Sequence, residues 1–113
     1  MENFFKDSEL RCACCGNSRM DDAFMVKLNQ ARAASEIPFV ITSAWRCVKH
    51  NIDVGSHSTN HPSGKAVDIR CKNGADRFVI VKALLGAGML GIGIGKSFVH
   101  CDTNREMPVI FLY

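Results

Sequence analysis

The 113-residue chain has no long apolar run and no cluster of basic residues. A helix needs about 20 consecutive apolar residues to cross a bilayer, so we expect no membrane partner. The 14 basic residues only slightly outnumber the 11 acidic ones and are dispersed, so nucleic acid is not an expected partner either. A hydrophobic share of 47% is ordinary for a globular protein. We therefore predict one domain over residues 1–113, acting as a monomer.

The chain also begins without an apolar segment. Its first ten residues, MENFFKDSEL, include acidic side chains and lack the hydrophobic stretch of a secretory signal. We expect synthesis in a cytoplasm, where cysteines remain thiols or metal ligands more often than they form disulfides.

Six cysteines are nevertheless many for this length. Cys12-x-x-Cys15 and Cys47-x-x-His50 have the spacing of a structural zinc site, so these four residues could hold one ion. Two alternatives stay open, namely buried thiols or a disulfide between the N-terminal loop and Cys47. The remaining three are expected in the core: Cys14, Cys71 and Cys101.

Hydrophobic periodicity predicts an α+β domain with a small, mostly antiparallel sheet and helices packed on one side. A short helix should begin at Asp7 or Ser8, and longer ones should span 20–36 and 73–85, the latter with Phe78, Val81, Leu84 and Leu85 on its apolar side. Strands are predicted in 39–45, 65–71, 91–95, 97–102 and 109–113. The last, VIFLY, is predicted to be a core strand. The glycines of GIGIG at 91–95 should allow close backbone approach or leave room for a substrate.

The stretch NHPSGKAVDI places His61 and Asp68 seven residues apart. Pro62 and Gly64 disfavour a helix, and on one straight strand an odd separation puts two side chains on opposite faces. The pair can meet only if the chain bends at Gly64 before entering the strand. A carboxylate inside AVDI also needs a partner. A shared cation would account for both observations.

A second fragment, FVHCD, supplies a third candidate ligand. Strand alternation puts Phe98, His100 and Asp102 on one face and Val99 and Cys101 on the other. Two histidines and one carboxylate are typical of catalytic zinc, which keeps a fourth position open. The aspartate that follows His100 could act as a general base or orient the ligand imidazole.

The segments ITSAWRCVKHNIDVGSHSTNHPSGKAVDI and GIGIGKSFVHCDT resemble the zinc D-Ala-D-Ala carboxypeptidase family of peptidoglycan peptidases, in particular its small branch in bacterial proteins and phage endolysins. The family signature is a serine-containing loop, His-x-x-Gly-x-Ala-x-Asp, and a distal His-x-Asp or His-x-His. The resemblance covers about 20–113, and FKDSEL is similar too. It implies the small α+β zinc domain shared with the Hedgehog signalling domain.

The resemblance also implies roles for individual residues. The implied zinc ligands are His61, Asp68 and His100. Arg46 resembles the basic residue that binds a substrate carboxylate or carbonyl oxygen. Some branches carry a glutamate base three residues before the last histidine, where this chain has Ser97. The predicted base is therefore Asp102, with His57 as its rival.

The implied activity is zinc-dependent hydrolysis of a peptidoglycan stem peptide, at a D-Ala-D-Ala or an L-Ala-D-Glu bond. The protein would then act on the cell wall, as a phage endolysin would after release by a separate lysis protein. The alternative is a non-catalytic zinc-stabilised module on the same fold, binding cell wall or another partner. A small intracellular zinc protein that uses its cysteines is a third hypothesis.

Overall fold

Five strands and four helices make up the computed structural model, which describes residues 2–56 and 58–113. The elements are α1 (Asp7–Leu10), α2 (Asp22–Ser35), β1 (Ile41–Ser43), α3 (Val48–Asp53), β2 (Ala66–Arg70), α4 (Gly74–Gly86), β3 (Gly91–Ile94), β4 (Phe98–Asp102) and β5 (Val109–Leu112). The strands form one sheet in the order β1-β2-β4-β3-β5. All neighbouring pairs are antiparallel except β3 and β5, which are parallel. The predicted α+β class is confirmed.

Both long helices begin at a side-chain cap. The Asp21 carboxylate accepts a hydrogen bond from the Phe24 N–H at 2.9 Å, and the Asn73 side chain accepts one from the Asp76 N–H at 2.7 Å. Each cap satisfies a backbone donor that the first helical turn would leave unpaired. Helix α2 ends at Glu36 in the left-handed conformation, with φ of 61°. The predicted helices at 20–36 and 73–85 are therefore confirmed within two residues.

The apolar side predicted for α4 is only partly correct. Leu84 is buried as expected, together with Ile80, whereas Phe78 is 69% and Leu85 48% exposed. Helix α4 packs against α2, and this contact selects which of its apolar side chains enter the core. Helix α4 contains more apolar residues than its contact face can bury.

The sheet has two chemically different faces, because successive side chains of a strand alternate. One face enters the core with the helices through Val67, Ile69, Ile92, Val99 and Cys101. The opposite face carries the carboxylate and imidazole groups of β2 and β4 and, from β3, only glycine. The sheet thus separates the hydrophobic core from a polar face.

Strand β5 differs from its prediction as a core strand. It pairs with β3 alone at the edge of the sheet, and Ile110 and Leu112 are 58% and 80% exposed. The apolar composition of VIFLY predicted burial, but an edge position leaves one flank and part of both faces open. Its residue Phe111 lies directly beside Gly93 in the parallel register. The strand therefore builds a side wall of the polar face.

Candidate metal centre

Three donors converge on the polar face of the sheet. His100 Nδ1 lies 3.0 Å and His61 Nε2 3.5 Å from the same oxygen of Asp68. One donor atom from each residue lies within 4.8 Å of the other two. The three residues are 2%, 5% and 9% exposed, respectively. These are the residues predicted as zinc ligands, and the structure brings all three together.

Strand pairing and one loop position the donors. Asp68 and His100 are direct partners in the β2–β4 register, so their side chains leave the same face as neighbours. His61 comes from the preceding loop, and its Nδ1 lies 2.7 Å from the Ala44 carbonyl oxygen. That carbonyl can only accept, so Nδ1 carries the proton and Nε2 presents its lone pair to the centre.

The bend predicted at Gly64 is present, with φ of 76°. A Cβ at this position would contact the Arg19 carbonyl oxygen and would lie 2.9 Å from the Asp21 nitrogen. The Asp21 N–H also donates to the Gly64 carbonyl oxygen at 2.9 Å. Glycine is required here both by the left-handed conformation and by the close approach of backbone. The ligand loop is thereby attached to the start of α2.

Asp102 lies beneath His100 and is fully buried. Its Oδ2 is 2.6 Å from His100 Nε2, and Asn60 Nδ2 donates to the same oxygen at 3.2 Å. Arg105 donates to both carboxylate oxygens at 2.9–3.1 Å. These contacts match the imidazole-orienting role considered for Asp102, and the base role stays a prediction. The rival base, His57, lies outside the described residues.

The electrostatics of the centre suit ionised carboxylates beside imidazole. Burial would raise the pKa of Asp68, but the hydrogen bond with His100 and the nearby His61 ring hold it well below its ordinary value. Burial would lower the pKa of His100, but hydrogen bonds to Asp102 and Asp68 raise it above its ordinary value. Burial would also raise the pKa of Asp102, but hydrogen bonds with His100 and Arg105 lower it below its ordinary value. Cationic charge is thus favoured at this position.

Arg46 reaches the same centre from the segment after β1. Its Nε donates to Ser43 Oγ at 3.1 Å, its Nη1 donates to Asn51 Oδ1 at 3.3 Å, and its Nη2 lies 3.6 Å from Asp68 Oδ2. The guanidinium lines a cavity of about 510 Å³ together with the three donor residues. The sequence prediction placed Arg46 at this site, and the structure locates it there.

The sequence prediction missed several residues of the site. The cavity is also lined by Asn60, Arg105, Phe111 and Tyr113. The glycine alternation in β3 was a usable signal, because a Cβ at Gly91 would meet Asp102 and Arg105, and one at Gly93 would meet the rings of Phe111 and Tyr113. The room that was predicted for a substrate is partly filled by side chains of the site itself.

A second cluster lies near the N-terminus. Cys47 Sγ is 3.7 Å from both Cys12 Sγ and Cys14 Sγ, and His50 Nδ1 is 3.4 Å from Cys12 Sγ. We call these four residues the thiol cluster. The three sulfur atoms form the second group able to hold a metal, with Cys14 in the place where the spacing suggested Cys15. The Cys15 thiol also interacts with Cys12 and Cys47.

Local backbone geometry explains the exchange of Cys14 for Cys15. The Cys12–Gly16 segment closes into a tight turn, with the Gly16 N–H donating to the Cys12 carbonyl at 2.9 Å and φ of 74° at Gly16. This turn brings Cys14 against Cys47. Cys14 is exposed, so its predicted core position is wrong, whereas Cys71 and Cys101 are buried as predicted. Burial would raise the pKa of Cys12, but backbone N–H groups directed at its sulfur lower it to about 6.

Two imidazoles and one carboxylate, with the far nitrogen of each ring held by an oxygen, form a donor set that suits zinc. On a small α+β domain this set is typical of mononuclear zinc hydrolases. A family model described as Peptidase M15 matches residues 3–102. The chain therefore belongs to the peptidase M15 family, of the zinc D-Ala-D-Ala carboxypeptidase type, and the resemblance is confirmed.

Membership makes the chain a metallopeptidase, because M15 peptidases are zinc-dependent. Comparison with curated proteins gives no match. Within residues 2–56 and 58–113, every helix is too short or too polar to cross a bilayer.

Proposed function

We propose that this chain hydrolyses stem peptides of peptidoglycan with the help of one zinc ion. The observation that carries the proposal is the convergence of His61, Asp68 and His100 beside Arg46 in one cavity. The group supplies three protein ligands, which is the number typical of zinc in catalysis rather than of zinc in a structural site. A non-catalytic binding module would have no comparable need for an open ligand position.

The two histidines and Asp68 would hold the zinc, and when bound it would acidify a water and polarise a peptide carbonyl. The Ala44 carbonyl and Asp102 fix the ring orientations of His61 and His100. Because these rings are buried and held from behind, their donor nitrogens need little rearrangement.

Arg46 is the group that recognises the peptide. Its guanidinium is anchored through Ser43 and Asn51 and is 17% exposed at the cavity. A planar guanidinium binds a carboxylate through two parallel hydrogen bonds. Stem peptides carry carboxylates, either at the terminal D-Ala or on D-Glu. The rings of Phe111 and Tyr113 form an apolar wall suited to the methyl groups of alanine residues.

We assign Asp102 the role of orienting His100. The Asp102 carboxylate is fully buried and makes short contacts, and Arg105 donates hydrogen bonds to both of its oxygens. A base that removes a proton from water would have to leave these partners.

Replacement of a carboxylate behind a ligand histidine typically costs roughly 10–100-fold in metal affinity or activity. Asp102→Asn should therefore weaken zinc binding while zinc-saturated protein keeps measurable turnover. Complete loss of turnover with unchanged zinc affinity would instead identify Asp102 as the base.

The decisive experiment is mass analysis of purified muropeptides after incubation with zinc-loaded protein. Loss of one alanine identifies cleavage at D-Ala-D-Ala, and release of the peptide beyond L-Ala identifies the L-Ala-D-Glu bond.

His100→Ala should abolish cleavage. Arg46→Lys should raise KM, with Arg32→Lys on α2 as the control, because α2 packs on the opposite side of the sheet. If zinc-loaded wild type leaves all muropeptides intact, the binding module is the correct alternative.

A further inference from the structure

Three distances within the thiol cluster have the scale of the edges of a zinc tetrahedron. A Zn–S bond of about 2.3 Å gives an S···S edge of about 3.8 Å in tetrahedral geometry, and a mixed S···N edge of about 3.6 Å. The two measured S···S distances to Cys47 are both 3.7 Å, and Cys12 Sγ to His50 Nδ1 is 3.4 Å. A disulfide would require one pair of sulfur atoms at about 2.05 Å.

The surroundings of the sulfur atoms suit thiolates. The Cys47 N–H is directed at Cys12 Sγ at 3.5 Å, and the His50 N–H is directed at Cys47 Sγ at 3.4 Å. Such donors stabilise negative charge on sulfur. Cys12 is buried, whereas Cys14 is exposed and leaves a route by which an ion can enter. We propose that Cys12, Cys14, Cys47 and His50 bind a structural zinc ion, separate from the His61, Asp68 and His100 centre.

This second ion would stabilise the segment that carries Arg46. Cys47 follows Arg46 directly and is the N-cap of α3. In the same helix, Asn51 accepts a hydrogen bond from Arg46 and donates one to the Ser58 carbonyl at 2.8 Å. Helix α3 has only six residues and would be marginal without an anchor. Zinc at the thiol cluster would attach it to the N-terminal turn and so fix the guanidinium at the cavity.

The test uses the full-length protein in a His100→Ala background, so that its outcome does not depend on the peptidase proposal. Protein purified with a reductant and then treated with zinc should retain about one equivalent after gel filtration, against about two in the wild type. Cobalt substitution should give an intense near-ultraviolet thiolate-to-cobalt charge-transfer band, which a His and Asp centre does not produce. Adding Cys14→Ser should lower the intensity of the band, because one of three thiolates is lost, and weaken zinc retention at least tenfold, with the fold checked by circular dichroism.

Cys15→Ser is the comparison variant, because it changes an adjacent exposed thiol of the same turn, which interacts with Cys12 and Cys47 but lies outside the group of three sulfur atoms. It should keep both the band and the zinc. Loss of the band with Cys15→Ser but not with Cys14→Ser would overturn the assignment of ligands. A cluster that binds no zinc in the reduced protein, or a native mass lower by a pair of hydrogens because a disulfide has formed, would overturn the site itself. In the His100-intact protein, Cys14→Ser should raise KM several-fold and leave the other zinc in place.

Discussion

Replacing Gly64 by alanine tests how the ligand loop is held. Two separate penalties are expected at this position. An L-residue in the left-handed region costs roughly 1–2 kcal/mol. The new Cβ would also overlap backbone atoms of Arg19 and Asp21, which cannot turn aside as a side chain would. Forcing extra volume into a packed region costs roughly 1–3 kcal/mol more.

The sum predicts that Gly64→Ala lowers the free energy of unfolding by about 2–5 kcal/mol. At about 4 °C per kcal/mol for a domain of this size, the melting temperature should fall by about 8–20 °C. His61 lies in the same turn, with its carbonyl accepting from the Gly64 N–H at 3.1 Å. Displacement of the turn should therefore also weaken zinc binding.

Gly55→Ala provides a matched control. Gly55 has nearly the same conformation, with φ of 78° against 76°, but a Cβ there would have no neighbouring atom within 4 Å among residues 2–56 and 58–113. The Gly55→Ala variant therefore has the cost of a left-handed alanine but no overlap with neighbouring atoms. Both variants restrict the unfolded chain to the same extent, so this effect cancels in the comparison. Thermal denaturation with and without zinc measures the difference. Equal melting temperatures for the two variants would refute the idea that the loop is held against the start of α2.

Three further predictions concern the polar face. Arg105→Gln leaves the buried Asp102 with fewer donors, and should lower the free energy of unfolding in urea by about 2 kcal/mol, whereas an unchanged midpoint would contradict the pairing. In metal-free protein the lowered Asp68 pKa stabilises the fold above about pH 4 and the raised His100 pKa stabilises it below about pH 6.5. The lowered Cys12 pKa acts in the opposite direction between about pH 6 and 9. In urea titrations with chelator, the stability lost in His100→Gln relative to the wild type should therefore shrink from pH 6 to 8, and a growing loss would refute this. Gly93→Ala pushes a methyl against the aromatic wall, so KM for muropeptides should rise with little change in melting temperature.

The sequence predicted the features that depend on local periodicity. Alternation in FVHCD separated His100 and Asp102 from Val99 and Cys101 correctly, because the period of two is a property of any strand. The left-handed turn at Gly64 followed from the need to bring an odd spacing together. The centre was recognisable because metal ligands restrict both residue type and spacing.

Features that depend on neighbours in space were not predictable in the same way. VIFLY contains enough apolar residues for a core strand, but its burial depends on which strand it joins and on what covers it. Cys14 and Cys15 are adjacent and chemically identical, so only the turn closed at Gly16 distinguishes them. Arg105 belongs to the site because the chain turns back after β4 and crosses to the far side of β3 to form β5, and the residues around Arg105 give no sequence signal for this path.

The alternation of isoleucine and glycine in β3 also restricts how the sheet can assemble. A slip of β3 by one residue would exchange its two faces. Ile92 and Ile94 would then enter the space of Asp102, Arg105 and the aromatic rings, and glycines would leave cavities in the core. A sheet with β3 in the wrong register would therefore be destabilised on its polar face and on its core face. Selection for a working centre and selection for a foldable sheet act on the same four residues.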